Sequence, residues 1–455
     1  MDLEYPEIMR RLSVPAAAPP PAGTGGGVTR RRFLQLGAMG AGGLAAAPFL
    51  SQLQAFAAPA LGPTDGILVV ILMGGGNDGL DTLGPVNDAR YAQLRPSLRI
   101  TPAAGLAVGE GLALHPSLTK LKARFDSGNV AIVRGVGYQP PDLSHFTSMA
   151  LWMQGWGGSG GVPNGWLGRY LDGLPNAATE SLYAATIGTS VPLHLVGSTT
   201  RASGLPENLG DAFAPDPDNP SSVRQFAAYR EMAADPTGLG AWGDTLARAT
   251  TNAMDLSERI RPVYANGLPD DGLGRDLGLC ARLINMNLGL RVLNTAYGDF
   301  DHHAEERGKH TTRMQQLDDA VDAFYAVLDP AYRSRVTIMT FSEFGRRPEE
   351  NDSGGTDHGT ASVQFVIGDR VKGGLYGAQP SLTDLDNNDN LKVQVDFRSV
   401  YGTILDSWLK ADSTQILGKS YPNLGFFSGG PGSPNVIPAR TRRKPHVRRP
   451  APARP

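Results

Sequence analysis

One cysteine, Cys280, serves the whole 455-residue chain, so no intrachain disulfide is available. Stability must come from burial, and a body of roughly four hundred residues can supply a large core. Long apolar runs are also missing beyond the N-terminal region. No later segment approaches the roughly 18 consecutive apolar residues of a membrane span, so none is expected there. Positive charge is absent where a nucleic-acid-binding domain would need it. The net charge of −2 combines +2 for residues 1–57 and +7 for residues 440–455, which leaves −11 for residues 58–439. An acidic body argues against a nucleic-acid partner. No internal repeat occurs, and no Gly/Ser/Pro linker separates two strand sets, so residues 58–430 are expected to form one domain.

The N-terminal region reads as an export leader. Thr29-Arg-Arg-Arg-Phe-Leu-Gln35 has the form of a twin-arginine signal and runs into a glycine-diluted apolar stretch, Leu34 to Leu50. Ala55-Phe-Ala57 places small residues for cleavage after Ala57. The expected partner is the twin-arginine translocase, and the expected location is the periplasm, the cell envelope or the exterior. That route carries folded chains, so a metal can be loaded before crossing. The C-terminal segment 431–455 is basic and proline-rich, the composition of a disordered tail able to touch an anionic envelope polymer.

Between these ends, apolar runs alternate with helical patterns. Ile67-Leu-Val-Val-Ile-Leu72 is a continuous β-branched run stopped by Gly74-Gly-Gly-Asn-Asp-Gly79, as in a buried strand entering a tight loop. Further strands are predicted at 129–133, 182–187, 289–296, 335–341 and 363–367, with an edge strand at 391–395. Helices are predicted at 116–126, 144–154, 221–234, 244–261, 277–287, 311–328 and 398–409. The alternation implies an α/β fold, a largely parallel central sheet flanked by helices.

Two clusters carry the chemistry: Tyr297-Gly-Asp-Phe-Asp-His-His303 and Gly355-Thr-Asp-His-Gly359. Imidazole nitrogen and carboxylate oxygen suit a divalent metal such as zinc, manganese or iron, with calcium a harder alternative. Asp78 follows the first strand, Asp301 and His303 follow another, Glu343 a third, and Asp357 and His358 lie in a glycine-rich loop. These are the candidate metal ligands. Gathering so many carboxylates at one sheet edge calls for a cation or for protonation. Simpler roles exist: Asp78 can cap a helix, and Asp357 can brace its turn. Asp299 competes with Asp301 for one role. Adjacent His302 and His303 point apart in extended chain, so one is expected outside the site, and His310 is expected on an exposed helix start.

Asp142-Leu-Ser-His-Phe-Thr-Ser148 opens a predicted helix. Ser144 there is the candidate nucleophile, favoured by the positive helix end, or an ordinary N-cap; His145 is base, ligand or helix surface. Arg346 and Arg347 add cations beside Glu343, for an anionic substrate or for carboxylates.

Taken in order, Gly74 to Leu80, Leu114-His-Pro116, Ser144-His-Phe146, Gly165-Trp-Leu-Gly-Arg-Tyr170, Asp301-His-His303, Thr340-Phe-Ser-Glu-Phe-Gly-Arg346, Gly355 to Gly359 and Asp396-Phe-Arg-Ser-Val-Tyr401 resemble the bacterial family called domain of unknown function 1501. That family is similar to the alkaline phosphatase and sulfatase superfamily. The resemblance implies metal-assisted hydrolysis of phosphate or sulfate esters, with Asp78 as the first-strand ligand, Ser144 as nucleophile, and Asp301 or Asp299, His303, Asp357 and His358 as later ligands. The chain departs at one point: the superfamily supplies a further downstream histidine, and the only one after His358 is His446 in the tail. Glu343, His115 or His145 is then needed to complete a second metal site. The alternative expectation is a non-catalytic envelope protein that keeps the fold as a binding surface.

Overall fold

The computed structural model describes residues 13–15, 60–177, 181–188, 190–200, 202–208, 215–234, 240–270 and 272–432. Apart from 13–15, which pair with Ser190–Pro192, the expected leader lies outside the described residues, as does the tail beyond residue 432.

Among the described residues, nine strands form the central sheet: β1 (Ile67–Met73), β2 (Val130–Gly137), β3 (Ala184–Ile187), β4 (Ser203–Leu205), β5 (Val292–Tyr297), β6 (Val336–Phe341), β7 (Ser362–Ile367), β8 (Gly374–Tyr376) and β9 (Val395–Asp396). Their spatial order is β8-β2-β7-β6-β1-β5-β3-β4, with β9 also paired to β2. Every pairing is parallel except the two made by β7, which runs against β6 and β2. The sheet is therefore mostly parallel, in a mixed α/β fold.

β1 sits at its centre, and this explains its composition. Both faces are covered, so alternation gives way to an unbroken apolar run, and Ile67 through Leu72 are each 0 % exposed. Each such side chain contributes about 2 kcal/mol relative to an exposed one. Register levels the strand ends: Tyr297 lies opposite Met73 and Phe341 opposite Leu72. The chain leaves β1, β5 and β6 at one edge, which is where the sequence puts its acids and histidines.

Helices flank the sheet. After a one-turn helix α1 (Gly79–Thr82) come α2 (Thr119–Asp126), α3 (His145–Gln154), α4 (Gly272–Asn285), α5 (Glu306–Val327) and α6 (Phe397–Ile404). α4 packs along α5, and α5 against α2. α3 and α6 meet the sheet through Trp152, whose ring stacks on Phe397 at 4.2 Å and on Phe341 at 5.8 Å. Among the described residues, no helix is long and apolar enough to cross a membrane.

Two expectations need correction. Residues 391–395 supply only a bridge at Leu391 and the start of the short β9, because β8 already pairs with Ala131–Val133 of β2 and leaves only the end of that strand. α5 begins at Glu306 rather than 311, which carries His310 into the helix, 0 % exposed instead of on the surface.

Candidate metal centre

The loops leaving β1, β5 and β6 are held together by close backbone contact. Gly75 has φ of +111°, and a Cβ there would lie 2.7 Å from the backbone nitrogens of Phe300 and Asp301, so the first loop can rest on the 300–301 segment only as glycine. Gly355 does the same for the loop before β7, where a Cβ would come within 2.3 Å of the His303 carbonyl carbon. Backbone bonds complete the seam: Thr356 N–H donates to His302 O at 3.1 Å, and Arg347 N–H to Asp357 O at 3.0 Å.

At this seam three imidazoles converge on Asp301. His145, the first residue of α3, is 5 % exposed, and its Nδ1 lies 2.7 Å from Glu343 Oε1. His358 Nδ1 lies 2.9 Å from the Leu143 carbonyl, and His303 Nδ1 lies 3.4 Å from Asp357 Oδ1. Carbonyls and carboxylates accept, so each Nδ1 carries a hydrogen, which leaves each Nε2 to offer a lone pair to a cation or, without one, to share a proton with Asp301. Those Nε2 atoms face one another. His358 Nε2 is 3.1 Å from His145 Nε2, 3.0 Å from His303 Nε2 and 3.1 Å from Asp301 Oδ1. Asp301 also reaches His303 Nε2 at 2.9 Å and His145 Nε2 at 3.4 Å.

Lone pairs at such separations repel unless a cation or a proton lies between them. A zinc-like ion with bonds near 2.1 Å keeps neighbouring ligand atoms about 3.0–3.4 Å apart, so the arrangement fits a divalent metal. Ligand atoms of His145, Asp301 and His358 all fall within 4.8 Å of one another, and half-exposed His303 stands beside them. Tethering of the far ring nitrogen by an oxygen is the usual support for a metal-bound histidine.

Without a cation, a proton takes its place. Burial opposes charging of His145, yet hydrogen bonds with Asp301 and Glu343 raise it to about 9. Burial likewise pushes Asp301 up, but bonds from His145 and His358 and the Arg346 charge outweigh it and hold the carboxyl far below its usual range.

Arg346 is turned inward. Its Nε donates to Gly76 O at 2.8 Å, Nη1 to Thr356 O at 2.9 Å, and Nη2 to Asp301 Oδ1 at 2.6 Å, to Phe300 O at 3.2 Å and to Gly75 O. With the side chain 0 % exposed, it braces Asp301 and the loops instead of meeting a substrate. Glu343, also 0 % exposed, accepts from Gly75 N–H at 2.9 Å and from Ser342 Oγ at 3.1 Å, so it supports His145 from behind.

Asp78 does not join this group. Its Oδ1 caps α1 by accepting from Leu80 N–H at 2.9 Å, and Oδ2 pairs with buried Arg95. Asp299 turns away to Arg313 at 2.5 Å, leaving the shared role to Asp301. Asp357 is mostly exposed and touches His303 and Asn351. Ser144 is the exposed N-cap of α3, and its hydroxyl makes no cap bond, while its own N–H donates to Asp142 Oδ1 at 2.8 Å.

The family model described as Protein of unknown function (DUF1501) matches residues 67–407, which hold every residue of this centre. The chain belongs to that family. Solved structures similar to it are sulfatases and alkaline phosphatase superfamily members. Ps i-CgsB in complex with k-i-k-neocarrahexaose is 11 % identical with a TM-score of 0.35, over 80 % of this chain and 75 % of that one. The PsFucS1 sulfatase from Pseudoalteromonas sp. is 12 % identical with a TM-score of 0.32, over 80 % and 70 %. The alkaline phosphatase from the Antarctic bacterium TAB5 is 9 % identical with a TM-score of 0.29, over 67 % and 92 %. No curated protein matches the sequence.

Sequence reasoning left the role of His145 open between base, ligand and surface. Its spacing from the other clusters holds no signal; only the antiparallel course of β7 brings His358 under the start of α3. Phe344 was not singled out, although its ring lies 4.7 Å from that of His145 and 4.9 Å from that of His358 and shields both.

Proposed function

We propose that this chain is an exported, metal-dependent hydrolase of phosphate or sulfate esters, with an envelope polymer as the bearer of the ester. One observation carries the reading: three imidazoles, each tethered at Nδ1, turn their Nε2 atoms toward one half-exposed carboxylate, Asp301. A divalent cation there would be held by His145, His358 and Asp301, with half-exposed His303 beside them, and would supply Lewis acidity to an ester oxygen and acidify a nearby hydroxyl.

The chain's own groups do the rest. Glu343, the Leu143 carbonyl and Asp357 fix the ring tautomers. Ser144 precedes His145, is exposed and has an uncommitted hydroxyl as far as capping goes, which suits attack on the ester. The first amides of ten-residue α3 offer donors to the anionic oxygens. Export rests on Arg30, Arg31 and Arg32 in the leader, and the twin-arginine translocase is the partner that motif addresses.

A non-catalytic binding role is the second reading, favoured by the inward commitment of Arg346, which leaves the substrate anion without that cation. Turnover of aryl phosphate and aryl sulfate esters by cytoplasm-folded, metal-loaded protein separates the two. Ser144→Ala should abolish turnover and keep the chelatable metal; His358→Ala should lose both. Wild type that turns over neither ester, with chelatable metal equal to that of an Asp357→Ala, His358→Ala variant, ends the hydrolase reading.

A further inference from the structure

Behind the half-exposed centre lies a second set of donors that the proposed hydrolysis does not use. Glu306 and His310, four residues apart, stack along one face of the first turn of α5, and His302 joins them from the loop that precedes the helix. Their ligand atoms all lie within 4.8 Å of one another. The three are 2 %, 1 % and 0 % exposed.

Hydrogen bonding leaves this set incomplete. Both ring nitrogens of His302 and the Nδ1 of His310 are buried without a hydrogen-bond partner. Buried polar atoms are almost always paired, and several orphans in one pocket indicate a missing occupant. The His310 tautomer can be assigned. Thr82 Oγ1 gives its hydrogen to the Asp78 carbonyl at 2.7 Å, so it accepts from His310 Nε2 at 3.3 Å, and the orphaned Nδ1 carries the lone pair. Glu306 Oε2 accepts from Thr356 Oγ1 at 2.7 Å, which orients the carboxyl.

We propose that His302, Glu306 and His310 form a second, closed site for a divalent transition metal. Two imidazoles and one carboxylate select zinc or a similar first-row ion over calcium or magnesium. The neighbouring groups have partners of their own: Asp78 pairs with Arg95 and shares a hydrogen bond with the Glu306 carboxyl, and His115, whose ring lies 5.7 Å from that of His310, meets Ser117 N–H and Thr311 Oγ1 through its own nitrogens. Uptake of the cation would set a carboxylate and two ring lone pairs around the ion.

The two centres differ in access, and this gives them different exchange behaviour. Asp301 is 40 % and His303 47 % exposed, so an ion there meets chelators directly. An ion among His302, Glu306 and His310 is taken up as the chain folds and then retained. His302 lies between Asp301 and His303 in the chain, so the closed site anchors the loop that presents both.

Zinc content of protein folded in the cytoplasm, measured by elemental analysis before and after brief dialysis against EDTA, tests this. Wild type should hold two zinc ions per chain before dialysis and one afterwards. His310→Gln should lose the retained ion, whereas His358→Ala should lose only the chelatable one. Full retention by His310→Gln, or no retained ion in wild type, overturns the proposal. Should His310→Gln not fold, anomalous scattering at the zinc edge from wild-type crystals decides: a peak among His302, Glu306 and His310 is expected, and its absence refutes the site. Loss of the hydrolase reading would show instead at the chelatable ion and in ester turnover.

Discussion

Replacing Arg346 with methionine removes the charge that holds Asp301 and the donors that hold four backbone carbonyls, while keeping an unbranched side chain of similar length. Breaking one partner out of a buried ion pair costs about 3–5 kcal/mol, and each carbonyl left unpaired adds to the loss unless water reaches it. Asp301 is 40 % exposed, so solvent recovers part of its loss and the lower end, about 3 kcal/mol, applies. An unfolding entropy near 2.1 cal/mol/K per residue over roughly 370 residues converts this to a fall in Tm of about 4 °C. Calorimetry of the chelated protein reads that shift directly. Arg346→Lys should recover only part of it, because an ammonium cannot span the fork that reaches Gly75, Gly76, Thr356 and Asp301. A methionine variant that melts within about 1 °C of wild type and binds zinc equally would refute the bracing role.

Glu343→Gln should weaken zinc binding at the half-exposed centre about 10- to 100-fold by loosening His145, as read by competition with a chromophoric chelator; unchanged affinity would remove Glu343 from the metal's support. The histidine it supports also sets a pH dependence. His145 is raised to about 9, so its contribution is complete below the unfolded value near 6.5 and disappears as pH rises through 9. Chelated wild type should lose at most about 3 kcal/mol across that window in urea titrations, and a His145→Gln protein that loses the same amount would contradict this. Asp318 reaches from α5 to cap α2, accepting from Lys120 N–H at 3.0 Å and Leu121 N–H at 2.7 Å. Asp318→Ala should cost about 1–2 kcal/mol in the same assay, Asp318→Asn clearly less, and equal losses would show that packing rather than capping is at stake.

What the sequence made legible follows from how local each cause is. The β1 run announces burial on both faces by composition alone, and the glycine-rich turn after it has no reading other than a tight loop. The start of α5 was misplaced because its cap is not local. Glu305, at the N-cap, adopts φ of +53° and makes no side-chain cap bond. Its N–H and that of Glu306 are met instead by the carbonyls of Ser353 and Gly354 at 3.2 and 2.9 Å, nearly fifty residues away. A helix begun by tertiary contact leaves no Ser, Thr, Asp or Asn to announce it, so the side-chain pattern alone places the start at 311 and His310 on the surface.

Strand direction is the other quantity that side-chain pattern cannot carry, and the metal centre depends on it. β7 is short, mostly apolar and followed by Gly368, as a buried strand of either direction would be. Had it run parallel to β6, the loop before it would leave the sheet at the opposite edge, and Asp357 and His358 would be a strand length away from Asp301. It runs antiparallel, with Ile338 opposite Ile367 and Met339 opposite Val366, so Ser362 enters the sheet at the same edge where Phe341 leaves it. The loop between them therefore turns back on itself, with Arg346 bridged to His358, and Gly355 allows it to settle against His303. One antiparallel strand in an otherwise parallel sheet is what brings the third imidazole to the other two.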